Sequence, residues 1–130
     1  MRCCSQWEAL ASPPLGLTHS ESGFPTQSPE AVTRNLARLL SKLERHRDLI
    51  DSWETVGCGE SEVVIVAIGI SARAARRAVE TCRAQGLKVG LFRPITLWPF
   101  PEEALHEAAA GARAVLVPEM NNGQLRLEVE

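Results

Sequence analysis

The sequence has no apolar run approaching the ~18–20 residues of a membrane span, so no membrane partner is expected. It has no surplus of one charge either. Lys and Arg number 14 against 16 Asp and Glu, a net charge of −2. That balance leaves no electrostatic footprint for nucleic acid or an anionic surface. None of the four cysteines, Cys3, Cys4, Cys58 and Cys82, forms a C-x-x-C pair, so the ligand spacing of a zinc or iron–sulfur site is lacking. His19, His46 and His106 are scattered, without the H-x-x-x-H or H-E-x-x-H spacing of a metal centre. The N-terminus lacks the apolar stretch of a secretory signal. The thiols are therefore read as free, in a reducing cytoplasm. Also missing are an internal repeat, a G-x-x-x-x-G-K-[ST] phosphate loop and a G-x-G-x-x-G turn.

What remains is an ordinary globular composition. Hydrophobic residues make up 45% and charged residues 23% of 130, which excludes a disordered or collagen-like chain and suits one domain. Residues 1–27 are expected to be an extended leader and a loop leading into a domain over 28–130. Pro13, Pro14, Gly16, Gly23 and Pro25 break this stretch too often for helix or strand. Ser28-Pro29-Glu30 then announces a helix: a capping hydroxyl, proline at the first helical position and an acid in the first turn. Apolar residues from Val32 to Ile50 extend it over 29–52, with a charged opposite face.

Gly57-Cys58-Gly59 reads as a hinge-like break that exposes an unactivated Cys58. The β-branched run Val63–Ile68 is the pattern of a strand covered on both faces. Ser71 is expected to cap a helix that buries Ala74, Ala75, Ala78, Val79 and Cys82 and ends at Gly86. A strand at Val89–Phe92, a helix opened by Pro101-Glu102-Glu103 and a strand at Ala114–Val117 follow. Over 62–118 this is strand–helix–strand–helix–strand, a parallel α/β sheet with right-handed crossovers. A partial element over 122–130 has mixed strand and helix signals, and a helix is favoured because one should follow a buried parallel strand.

Gly69-Ile70-Ser71-Ala72-Arg73 is one residue short of a G-x-S-x-G nucleophile elbow, with Arg73 where the second glycine should stand. No local feature brings a histidine and an acid to Ser71, so no catalytic residue is assigned. Two loops at strand ends are better candidates, because open α/β sheets place their binding surfaces there. Residues 93–101 hold Trp98 and Phe100 between prolines, suitable anchors for a subunit interface. Residues 117–125 offer Glu119, Asn121, Asn122 and Gln124 in one turn. Such a loop can cap a helix, line a cleft or meet another chain, and core packing and capping compete with binding as its purpose.

Thr96-Leu97-Trp98-Pro99-Phe100-Pro101-Glu102 and Val117-Pro118-Glu119-Met120-Asn121-Asn122-Gly123-Gln124-Leu125 together resemble the alpha subunit of 2-oxoacid:ferredoxin oxidoreductases, the 2-oxoglutarate type above all. Gly86–Leu91 fits the strand between these motifs. Gly16–Thr26 resembles the loop before this domain, with Thr18 and Ser20 where the family usually carries acids. The resemblance implies a three-layer α/β/α sandwich with a mainly parallel sheet, like a transketolase C-terminal domain, here incomplete at its C-terminus. It also implies a fragment of an enzyme that decarboxylates a 2-oxoacid with coenzyme A and reduces ferredoxin. Thiamine diphosphate, magnesium and an iron–sulfur cluster would sit mainly with the beta subunit, and none is expected on this chain alone. The expected partners are that beta subunit and the remainder of the alpha subunit. The alternative is a free-standing α/β interaction module without catalysis. In either case Trp98, Phe100, Glu119, Asn121, Asn122 and Gln124 are the interface or cleft candidates.

Overall fold

The structure, a computed structural model, describes residues 18–130. Cys3, Cys4, Pro13, Pro14 and Gly16 lie outside the described residues. The chain divides into two compact units, Met1–His46 and Arg47–Glu130.

In the first unit, α1 spans Pro29–Glu44. Ser28 caps it, its Oγ accepting from the Ala31 N–H at 3.4 Å, and Pro29 opens the first turn. No residue of α1 is buried. The single helix expected over 29–52 divides after Glu44. There the Arg45 N–H donates to Ser41 O at 3.1 Å and the His46 N–H to Leu43 O at 3.0 Å, so the last bonds tighten and the helix closes.

In the second unit, α2 (Arg47–Ile50) is followed by β1 (Trp53–Val56), a strand absent from the expectation. Next come a single 3₁₀ turn, Cys58–Glu60, then β2 (Val63–Val66), α3 (Gly69–Ala84), β3 (Val89–Pro94), α4 (Glu102–Ala109), β4 (Ala114–Leu116) and α5 (Gln124–Val129). The last element is the helix favoured from its place after a parallel strand, although that strand, β4, is exposed rather than buried.

The sheet order is β1-β3-β2-β4. β2 pairs in parallel with β3 and β4, and β1 runs antiparallel to β3. The crossover from β2 to β3 moves one way across the sheet, and the crossover from β3 to β4 moves back. With both right-handed, α3 and α4 fall on opposite faces. The two cores follow. Ile65, Ala67 and Leu91 pack with Ala72, Ala75 and Val79 of α3. Val64, Val66 and Phe92 pack with Phe100, Leu105 of α4 and Leu125 of α5. Alternate residues of one strand thus feed opposite layers, and the architecture is an α/β/α sandwich with a mainly parallel sheet.

Two expectations are corrected at the turns. Cys58 is buried at 9% exposure, and its thiol donates to the Leu91 carbonyl at 3.1 Å. Burial raises its pKa, against the lowering effect of the Val56 and Leu91 carbonyls and the Arg83 charge. Ser71 is not the cap of α3. The helix begins at Gly69, after Ile68, and no side chain caps it. Ala72 takes the buried place expected for Ala74 and Ala78, which are exposed.

Candidate functional site

The loops after β2, β3 and β4 all leave the same end of the parallel strands. The one after β3 is fixed from the other side by α2. Arg47 donates from its Nη2 to the Phe100 carbonyl at 2.6 Å, while its Nε meets Asp51 Oδ2 at 3.1 Å. The Thr96 hydroxyl donates to the Ile50 carbonyl, and the Ile95 and Thr96 N–H groups donate to Ser52 O at 2.9 and 3.0 Å. The peptide bond between Trp98 and Pro99 is cis.

This bracing separates the two aromatics. Phe100 is 4% exposed and belongs to the core cluster with Phe92 and Leu105. It anchors the loop from below. Trp98 is 63% exposed, and Ile95 and Leu97, which precede it in the loop, are also exposed. The loop therefore holds an unshielded indole on a stiffened segment, the combination found at interface anchors.

The loop after β4 divides in the same way. Glu119 accepts from the N–H groups of Leu125 at 2.8 Å and Arg126 at 3.0 Å. It thereby satisfies the free donors of the first turn of α5. Partial desolvation pushes its carboxyl up, but the Leu125 and Arg126 N–H groups, the Asn121 side chain and the Arg126 charge outweigh it, and its pKa falls below the usual value. Asn121 Oδ1 accepts from Gly123 N at 2.8 Å and Gln124 N at 3.3 Å. Gly123 has φ +87°, which allows the turn to reverse into the helix. Glu119 and Asn121 thus hold the loop's shape. Asn122 and Gln124 are exposed, as is Met120.

A groove of about 380 Å³ opens beside this loop. Ile70, Ala74 and Ala78 of α3 form one wall, and Leu116, Pro118 and Met120 form the other. The sequence reading missed Met120 and this groove, because Ala74 and Ala78 fit a buried helix face equally well. Ser71 also lines the groove. His106 is on α4, across the sheet from it, so the nucleophile elbow has no base from that helix. Among the described residues, no three His, Cys, Asp or Glu side chains gather to hold a metal ion. The described residues do not fit a magnesium or cluster site.

Residues 61–130 match the family described as pyruvate:ferredoxin oxidoreductase core domain II. The chain belongs to that family. The core domain II chain is 41% identical over 115 residues to the 2-oxoglutarate synthase subunit KorA of Methanocaldococcus jannaschii, covering 88% of this chain and 31% of that protein. It is 51% identical over 71 residues to the ketoisovalerate oxidoreductase subunit VorB of Methanothermobacter marburgensis, covering 55% of this chain and 20% of that protein. Its fold matches a solved 2-oxoglutarate:ferredoxin oxidoreductase from Magnetococcus marinus, with 2-oxoglutarate, coenzyme A and succinyl-CoA bound, at a TM-score of 0.80 and 30% identity. That match covers 98% of this chain and 23% of the solved chain. The chain thus spans about a third of the KorA relative's length.

Proposed function

We propose that this chain is the core-domain-II part of the alpha subunit of a 2-oxoacid:ferredoxin oxidoreductase of the 2-oxoglutarate type. In this reading the whole enzyme decarboxylates the 2-oxoacid with coenzyme A, forms the acyl-CoA and passes electrons to ferredoxin in the cytoplasm. Thiamine diphosphate, magnesium and the iron–sulfur cluster act in the assembled enzyme, mainly on the beta subunit. The role of this domain is structural. Trp98, Asn122 and Gln124 face another part of the assembly, and Phe100, Glu119 and Asn121 hold the two loops in position to do so.

The observation that carries this reading is the likeness to a 2-oxoglutarate:ferredoxin oxidoreductase over 98% of the chain, supported by 41% identity to a 2-oxoglutarate synthase subunit. The test is complementation. The chain is co-expressed with a beta subunit and with the rest of an alpha subunit of a relative. Recovery of 2-oxoglutarate- and CoA-dependent reduction of ferredoxin is expected, with none from the chain alone. Turnover by the isolated chain supplied with thiamine diphosphate, magnesium and CoA would overturn the reading. Trp98→Ala is expected to lower recovery of the complex by about tenfold while leaving the melting temperature of the chain unchanged, as for an exposed hot-spot aromatic. Co-purification yield and a thermal melt check this.

A further inference from the structure

We propose that the first unit holds a binding site for a phosphate monoester, between the turn at Thr18–Thr26 and α1. The turn is closed by its own backbone. Thr26 N–H donates to Thr18 O at 2.8 Å, Ser20 N–H to Phe24 O at 2.8 Å and Gly23 N–H to Ser20 O at 2.9 Å. His19 and Pro25 form a β-bridge across it. Asn35 then pins the turn to the helix, its Nδ2 donating to the His19 carbonyl at 3.0 Å. A recess of about 330 Å³ remains, lined by His19, Ser20, Glu21, Arg34, Asn35 and Arg38.

Two cations line this recess, and among the described residues neither is paired with a carboxylate. Arg34 and Arg38 are four residues apart, so they share one side of α1 and repel each other. Six other arginines, at positions 47, 76, 77, 93, 113 and 126, each pair with a carboxylate, whereas Arg45 and Arg83 bond backbone carbonyls and Arg73 stands alone on α3 among the described residues. Among the described residues neither Arg34 nor Arg38 forms an ion pair, although Glu21 lines the same recess. Guanidinium groups present planar forks of N–H donors that match phosphate oxygens in pairs. A phosphate between them would relieve the repulsion and use donors that now face solvent. Glu21 only accepts hydrogen bonds when ionised, so it suits a hydroxyl on the alcohol side of the ester rather than a second anion. A phosphorylated sugar has both groups. The site is also preorganised, because the turn and helix are already joined through Asn35, which lowers the cost of ordering on binding.

The test titrates inorganic phosphate, ribose 5-phosphate and ribose into the isotope-labelled 130-residue chain at low salt. Saturable NMR shifts are expected at His19, Ser20, Asn35 and the arginine side chains, strongest with ribose 5-phosphate and absent with ribose. Replacing both arginines (Arg34→Gln with Arg38→Gln) should weaken binding about tenfold or more with helix content by circular dichroism unchanged. Glu21→Gln should remove only the advantage of the sugar phosphate over inorganic phosphate. Arg45→Gln, at the C-terminal cap of α1 and outside the recess, should leave binding as it was. Shifts that rise linearly without saturation would overturn the site, as would equal weakening by Arg45→Gln or undiminished binding in the double variant.

Discussion

Gly90 is the clearest case of one residue fixed by its surroundings. A Cβ built there would stand 2.5 Å from Ser61 Oγ, 2.9 Å from Cys58 Cα and 3.1 Å from Cys58 Sγ. The 3₁₀ turn at Cys58–Glu60 packs on β3 that closely because β3 has no side chain at this point. Gly90→Ala should cost about 1–3 kcal/mol, the usual range for overpacking a closed site. Gly59 has nothing within 4 Å of its Cβ position, so Gly59→Ala is the near-neutral control in a urea titration. Glu119 is the matching case for charge. Its folded pKa lies below the ordinary carboxylate value, so its stabilising effect is complete above the unfolded pKa of ~4.3 and disappears as pH falls through the lowered folded value. Glu119→Gln should speed hydrogen exchange at Leu125 and Arg126 near neutral pH, and the difference from the parent should close in acid. The role of Gly90 was hidden in the sequence, while capping a helix was one of three uses open to the loop that holds Glu119. Gly90 read as an ordinary strand residue, and the partners of Glu119 are set by how the loop turns back on itself.

Elements were legible where a local signal decided them. Ser28 and Pro29 set the start of α1, and Gly86, with φ +84°, terminates the turn after α3. The β-branched run predicted β2, because four such residues in a row suit a strand covered on both sides. β1 was not legible. Trp53-Glu54-Thr55-Val56 is short, and its stability comes from pairing with β3 some forty residues away. Glu54 adds Arg76 at 2.8 Å and Arg93 at 3.1 Å, contacts with no trace in local periodicity. The rotation of α3 was missed for a related reason. Small residues fill most of its apolar positions, and alanine alone does not say which side meets the sheet. Phe92 marks where the elements join. It is fully buried in β3, between the strand ladder and the α4 layer. Phe92→Ala should cost about 3–5 kcal/mol, the range for truncating a buried aromatic, and should lower the denaturation midpoint far more than Trp98→Ala.

At the scale of the whole molecule, the fold class and the position of the candidate loops were legible, because strand–helix alternation allows few topologies. The split of the two loops into a braced half and an exposed half was not. It depends on Arg47 reaching Phe100 and on Glu119 reaching α5, contacts formed only once the chain is folded. The edge strand β4 carries a separate consequence. Among the described residues it pairs with β2 on one side only, and all three of its residues are exposed, with Val115 at 42% and Leu116 at 55%. Such an uncovered apolar rim is a template for recruiting further strands. The chain in isolation should therefore precipitate as its concentration is raised, in competition with staying in solution. A lysine on the rim is the remedy that natural edge strands use, so Leu116→Lys should raise the concentration at which light scattering begins without lowering the melting temperature.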